Sequence, residues 1–373
     1  MKITAVKAFP LESTLARGTG PSTYYYRSRT ALIIKLETDA GVSGWGETYD
    51  GYDVRALINR QYAPLLIGRN PLEHRKLWRE LWGPNFGNGI ALGGLDMALD
   101  DLRGKALGLP VAELYGGRLR DRVPAYASAM NYVEGEDPAE QYPREATALV
   151  ARGFRALKMR IGGQSIRRDL AAIAAVRQAA GPDVRLMADG NGAYTLGAAI
   201  EMGRELEKLN LHWFEEPLPQ STPDYAGYEV LTAKLDIAIA ACENLTSRSA
   251  FKEAIARRAM DIVQPDISTA GGIGECLFVA EMARLWGIQC VPHCWMGALG
   301  TAATVHLVSL LPDTSWSRGS VAPMLELDMV ENPFRDDLLL TPLDLKDGFV
   351  QVPNSPGLGV EVDEAKLDFY AAS

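Results

Sequence analysis

The chain has 373 residues, a formal net charge of −9, 47% hydrophobic and 23% charged residues. That length is long for one ordinary domain and short for three, and that composition suits a soluble globular protein with a sizeable core. The acidic balance argues against nucleic acid or an anionic membrane surface as partner, so an anionic substrate would need positive charge placed locally.

The first residues, Met1-Lys2-Ile3-Thr4-Ala5-Val6, contain no apolar run long enough for a secretion signal. No later run is long enough to span a bilayer. Ile3 to Leu11, Thr30 to Thr38 and Val42 to Thr48 read as strands, with Asp39-Ala40-Gly41 as a hairpin-type turn. A helix opens at Pro71-Leu72-Glu73, and another covers Leu92 to Leu107, stopped by Gly108 and Pro110. Strands followed by grouped helices predict an α+β unit over residues 1–122.

From Val123 the texture changes to strand, helix, strand, helix. The predicted strands are Val123–Ser128, Ala156–Ile161, Val184–Ala188, Leu211–Phe214, Ile237–Ala241, Asp261–Gln264, Gln289–Pro292 and Ala322–Leu325. Amphipathic stretches lie between them. Ile166, Leu170, Ile173 and Val176 share one helical face, and Thr222-Pro223-Asp224 has the order of a helix start. Eight strand runs alternating with seven helices over 123–330 predict a parallel barrel of the triosephosphate-isomerase type. The Pro- and Gly-rich tail, 331–373, is expected to pack back on the first unit. Cys242, Cys276, Cys290 and Cys294 lie in apolar segments without metal or redox spacing, which suits a reduced, cytoplasmic setting.

The strand ends carry the chemistry. Asp189, Glu215 and Glu243 each close an apolar run, so a parallel barrel would gather them at one rim. Three carboxylates at contact distance would repel by roughly 10 kcal/mol at an effective dielectric near 20. Something positive must sit among them, and all-oxygen ligands favour Mg²⁺. Lys158 and Arg160, two apart on the second strand, should both enter the mouth. Asp266 and His293 fall on neighbouring strands, where a carboxylate can hold an imidazole. Glu326 belongs to the eighth strand. Strand alternation would turn Glu216 away from the site. Taken singly, each residue has a plainer reading as a turn, a helix-leading acid or a structural histidine. His74, His212 and His306 are read as structural. Reactive groups at one end of seven successive strands argue for a site.

Lys158-Met159-Arg160, Asp189-Gly190-Asn191, Trp213-Phe214-Glu215-Glu216-Pro217, Ala241-Cys242-Glu243-Asn244, Gln264-Pro265-Asp266, Gly271-Gly272 and Pro292-His293 resemble the enolase superfamily, in its mandelate racemase subgroup. Val42-Ser43-Gly44-Trp45-Gly46-Glu47 and Gly104-Lys105-Ala106-Leu107-Gly108-Leu109-Pro110 resemble that family's capping domain. The resemblance implies a modified (β/α)7β barrel with an α+β cap built from both chain ends. It implies Mg²⁺ on Asp189, Glu215 and Glu243, a His293–Asp266 dyad, an enediolate, and assembly as a homo-oligomer. It places Asn191 and Glu326 on the substrate. The sequence departs from the family at two positions. Arg160 stands where a second lysine base is common, and guanidinium is a poor base. Cys242 stands where glycine is usual.

The reading is a Mg²⁺-dependent lyase that removes the proton next to a carboxylate and dehydrates a hydroxy or sugar acid to a 2-keto-3-deoxy acid. Its small-molecule carboxylate substrate would meet Lys158 near the developing charge and His293 as base. A racemase or epimerase shares the first step but needs a second acid or base on the opposite face, which Arg160 supplies poorly and for which Lys158 could substitute. An inert structural protein on the same fold is the third reading. Tyr24-Tyr25-Tyr26-Arg27, with Tyr49, Asp50 and Tyr52, is expected to select the distal end of the substrate, aromatic faces excluding water while hydroxyl tips pair.

Overall fold

The computed structural model describes residues 1–51, 53–83, 89–219, 225–314 and 321–372. The expected helix start at Thr222-Pro223-Asp224 and the candidate Tyr52 lie outside them. Three antiparallel strands, Ile3–Gly20, Tyr26–Thr38 and Ser43–Thr48, form the cap sheet, and Tyr132–Val133 adds a short fourth. Gly41, at φ +73°, makes the expected hairpin turn. The first two strands run well past their apolar stretches, because Leu11-to-Thr14 and Thr19 find pairing partners in Tyr26–Ala31. This long ribbon carries the tyrosine cluster out to its tip.

Barrel strands one to eight are Arg122–Ser128, Ala156–Arg160, Arg185–Asp189, Trp213–Glu215, Ala238–Ala241, Ile262–Val263, Gln289–Cys290 and Leu325–Asp328. Helices occupy the seven connections, and Ile166–Ala180 packs Ile166, Leu170, Ile173 and Val176, the face its apolar periodicity predicts, against the outer apolar layer. Parallel ladders join strands one through seven in order, and strand eight returns to strand one. Strand eight starts three residues later than predicted, since Pro323 has no N–H for a ladder. Pro265 and Pro292 likewise follow the short strands six and seven, yet an isolated parallel bridge rejoins Asp266 and His293 beyond them.

One side chain in or next to each strand fills the barrel interior: Tyr126, Ala156, Met187, Trp213, Ala240, Ile262, Val291 (just after strand seven) and Met324 (just before strand eight). A larger apolar layer lies between the strands and the outer helices, and a separate core stands under the cap sheet. No helix among the described residues is long and apolar enough to cross a membrane. The four cysteines are free thiols.

The cap is fastened at the mouth. The helix Gly89–Leu107 packs so closely that a Cβ on Gly93 would stand 2.2 Å from the Ser268 carbonyl oxygen. Glu47 accepts the N–H groups of Gly297 (2.5 Å) and Gly300 (2.9 Å), capping the helix Ala298–Leu310. The tail runs beside the first two cap strands: Glu12 N–H reaches Tyr370 O, Ala372 N–H reaches Pro10 O, and Lys35 of the second strand pairs with Glu364. These contacts support the division we propose, a cap over 1–122, a barrel over 123–330 and a tail over 331–373 that packs on the cap.

His306 joins three of these segments. Its Nδ1 accepts the Ala112 N–H at 3.3 Å and its Nε2–H donates to the Leu358 carbonyl at 3.1 Å. Only the neutral ring can do both. Burial pushes its pKa down to about 4. The unfolded chain therefore binds a proton that the native state refuses as pH falls from the usual histidine range toward 4. His306 stabilises fully at neutral pH, and that contribution drains away on acidification, by up to about 3 kcal/mol. Urea midpoints followed from about pH 7 to pH 4.5 should fall more steeply for wild type than for His306→Asn. Parallel slopes would show that His306 is not the sensitive group.

Candidate active site

Side chains two apart on a strand share a face. Stepping two residues on from the interior apolar layer reaches Ser128, Lys158, Asp189, Glu215, Gln264, His293 and Glu326. Seven strands thus raise a polar layer directly on the apolar one. Strand five would present Cys242, but Cys242 is at φ +93° and packs into the outer apolar layer. The turn brings Glu243 inward instead, where it lines the mouth. That backbone explains why glycine suits the position and gives Cys242 a structural place. Asn191 (φ +44°) and Glu216 (φ +39°) also leave their strands in the left-handed region. Glu216 therefore does not follow alternation outward. It is buried beside the site, with Asn244 Nδ2 donating to it at 3.2 Å.

Lys158 is the hub of the polar layer. It is 1% exposed, paired with Glu215, and lies 2.7 Å from Glu326 and 3.6 Å from Asp189. The second Glu215 oxygen accepts from Trp213 Nε1 and Gln264 Nε2, both at 2.9 Å. Arg160, one layer higher, pairs with Asp189 and stacks on Trp295, its guanidinium 4.8 Å from the ring centre. His293 Nδ1 meets Asp266 Oδ2 at 2.7 Å, and its Nε2 stands 3.4 Å from Glu243. Asp266 Oδ1 accepts from Ser268 N–H, Ser268 Oγ and Thr269 N–H.

This arrangement is rich in negative charge. Six carboxyl groups (Asp189, Glu215, Glu216, Glu243, Asp266 and Glu326) face three basic side chains (Lys158, Arg160 and His293). Burial, then Glu243 and Glu215, push Glu216 well above the usual carboxylate range. Burial also raises Glu243, with Glu215 and Glu326 adding to it against His293 and Lys158. Burial alone would lower His293, but Glu243, Glu326 and Asp266 outweigh it and lift it to about 10. Glu326 goes the other way: burial opposes ionisation, and Lys158, His293 and Arg160 overcome it, to about 2. A divalent cation fits this donor set, because hard oxygen ligands are in excess and unbalanced. Asp189, Glu215 and Glu243 are the carboxylates that could hold it.

Elsewhere, His74, Asp96 and Asp100 bring their ligand atoms within 4.8 Å of one another, the trio among the described residues that does so. Arg103 pairs with Asp100 at 2.9 Å and Tyr115 donates to it at 2.6 Å. With one Arg and one His against two Asp, this cluster is balanced within itself. It fastens a cap helix beside the Gly271-Gly272 turn, where Trp78 Nε1 donates to the Gly271 carbonyl.

A cavity of about 320 Å³ opens over the polar layer. Arg160, Asn191, Glu243, Asp266 and His293 line it from the barrel, and Tyr24, Tyr26 and Tyr49 from the cap. Lys158 and Glu326 lie beneath it. Tyr25 is 51% exposed and Arg27 pairs with Glu134 at the surface, so neither lines the cavity. The aromatic run zigzags, placing Tyr24 and Tyr26 on one side and Tyr25 on the other. The sequence reading missed Asn131, Trp295 and Arg29. Asn131 Oδ1 accepts from Arg160 Nε at 3.3 Å. Trp295 lies between Arg160 and Arg29, and Arg29 reaches from the cap to pair with Asp328. Trp295 could have been noticed two residues past His293. Arg29 carried no signal, since its partner is 299 residues away.

Residues 19–116 match the family model of the mandelate racemase / muconate lactonizing enzyme N-terminal domain, and residues 141–366 match the enolase C-terminal domain-like model. The chain belongs to the enolase superfamily. It is 34% identical to a D-galactarolactone cycloisomerase of Agrobacterium fabrum, with 98% of each chain covered. It is 32% identical to an arabinonate dehydratase of Saccharolobus solfataricus, over 91% of this chain and 90% of that one. Among solved structures, the 3,6-anhydro-D-galactonate cycloisomerase of Zobellia galactanivorans superposes with a TM-score of 0.89 at 35% identity, both chains fully covered. The cap and barrel described above are thus those of an enolase-superfamily member.

In this superfamily member, Glu215 faces Lys158 and the barrel axis, whereas Glu216 sits at the edge with Asn244. If Asp189, Glu215 and Glu243 hold a divalent cation, Glu215→Gln should weaken Mg²⁺ binding by roughly 100-fold or more, and Glu216→Gln by less than about tenfold. Titration calorimetry with Mg²⁺ checks this. Equal losses would mean that Glu216 holds the metal as much as Glu215 does.

Proposed function

We propose that this protein removes the proton next to the carboxylate of an acid sugar and expels the oxygen on the adjacent carbon. The observation that carries this reading is the dyad. His293 is anchored through Nδ1 to Asp266, and its other nitrogen faces a cavity that also holds Arg160 and Asn191. Asp189, Glu215 and Glu243 would hold Mg²⁺, which supplies Lewis-acid polarisation of the substrate carboxylate when bound. Glu243 is the largest charge that holds the His293 ring protonated, and with that charge neutralised by a bound cation Nε2 is free to accept the α-proton. Asp266 fixes the ring and offsets the charge it gains. Lys158, fixed by Glu215 and Glu326, places a positive charge under the enediolate as it develops. The aromatic cap residues keep water from the site.

The dehydratase reading follows from the departing group. When the β-oxygen leaves as water it needs a proton, and the imidazolium just formed can return one on the same face. The product is then a 2-keto-3-deoxy acid. Relatives named for arabinonate and galactonate dehydration support this outcome. A second reading is favoured by two full-length cycloisomerase relatives. If the leaving oxygen belongs to a lactone ring it departs as a carboxylate and needs no acid, and if it belongs to an anhydro ring it is an ether oxygen that takes the proton the imidazolium returns, so a one-base site serves either. Racemisation is the poorer fit, because it needs a second acid or base, and Arg160 stays protonated at working pH, which leaves Lys158 as the group that would have to substitute.

The test is a panel of sugar acids and lactones with Mg²⁺, read by semicarbazide for keto acid and by deuterium uptake from solvent. Activity should disappear in excess chelator and return with Mg²⁺. His293→Asn should lose both turnover and α-proton exchange by roughly 10²–10⁴-fold. Native-rate exchange in that variant would remove His293 from the role, and full turnover in chelator would remove the metal.

A further inference from the structure

We infer that Tyr49 is a positioning residue for the base, a cap side chain that completes the dyad instead of reading the substrate alone. This rests on the reading of His293 and Asp266 as the proton-transfer pair. Tyr49 follows directly on the cap strand Ser43–Thr48. Its hydroxyl lies 3.3 Å from Asp266 Oδ2, the same oxygen that holds His293 Nδ1. The other Asp266 oxygen is fully engaged by Ser268 and Thr269, all from the barrel. Of the donors on Oδ2, one is the base and the other comes from the cap.

The cap end is rigidly held. Thr48 Oγ1 donates to Ile90 O at 2.7 Å, and Glu47 caps the helix that follows His293. Tyr49 is therefore delivered to Asp266 by two fixed neighbours. A phenol donating to a carboxylate has two effects. It fixes the plane of the carboxylate, and with it the direction in which the imidazole points. It also takes up part of the electron density on the oxygen shared with His293, so the two donors moderate each other. Burial and the Asp266 charge push the Tyr49 phenol well above its usual range, so it stays a donor. Seating of the cap thereby reaches the proton-transfer pair through one hydroxyl.

The experiment uses the Mg²⁺-loaded full chain labelled with ¹⁵N-histidine, observing the Nδ1 proton of His293 by NMR and assigning it by its loss in His293→Asn. Tyr49→Phe removes only the hydroxyl. It should move this resonance downfield, because His293 then has Oδ2 to itself, while Mg²⁺ affinity stays within about twofold of wild type. Site-specific 3-fluorotyrosine at position 49 keeps ring and hydroxyl but makes the hydroxyl a stronger donor. It should move the resonance upfield, and it answers the question even if Tyr49→Phe fails to fold. A resonance unmoved by the fluorinated residue, or by a folded Tyr49→Phe, overturns the proposal. The readout is independent of turnover, so failure here is distinct from failure of His293 as base, which α-proton exchange in His293→Asn reports.

Discussion

Buried carboxylate charge at the barrel mouth is the constraint on which the rest of the structure depends. Water cannot screen it there, and the ε-ammonium of Lys158 and the guanidinium of Arg160 answer only part of it. The remainder appears in the neighbours: Glu216 and Glu243 are held above the usual carboxylate range, and His293 far above the usual histidine one. An assembly of this kind is costly to fold. It makes sense as a cradle for a cation and an anionic substrate, and little sense as scaffolding.

The barrel builds that cradle by period two. An apolar layer with one side chain in or next to each strand closes the interior, and the next layer up is polar on nearly every strand. The polarity would be ruinous one layer lower, where nothing could pair with it. Left-handed backbone at Asn191, Glu216 and Cys242 then turns the chain out of the barrel next to each proposed ligand. At Cys242 this turn replaces a thiol with the carboxylate of Glu243. Local strain at one residue therefore decides which side chain reaches the site.

The cap supplies what the barrel lacks, a roof. Its fastenings cluster around the machinery. Glu47 caps the helix after His293, Arg29 reaches Asp328, and Gly93 lets a helix rest on the carbonyl of Ser268, two residues from Asp266. A cap docked this way has little freedom to shift without disturbing the dyad. Tyr24, Tyr26 and Tyr49 then bound the cavity with aromatic faces and hydroxyl edges, a lining suited to a polyhydroxylated acid.

Much of this was legible in the chain alone. Alternating strand and helix patterns predicted the barrel, and the order of acids, Lys158, Arg160 and His293 at strand ends predicted which groups share a rim, because both depend on periodicities of a few residues. Only the tertiary structure decided the rest. The cap ribbon outruns its apolar stretch because pairing partners exist in space. Glu216 stays inside because a positive φ breaks alternation. Tyr25 and Arg27 face outward while Tyr24 and Tyr26 face the cavity. Arg29 finds Asp328, and Tyr49 finds Asp266, across more than two hundred residues. Local sequence carries the period of an element and the chemistry of its end. It carries no record of which distant side chain will arrive there, since that depends on how whole layers pack.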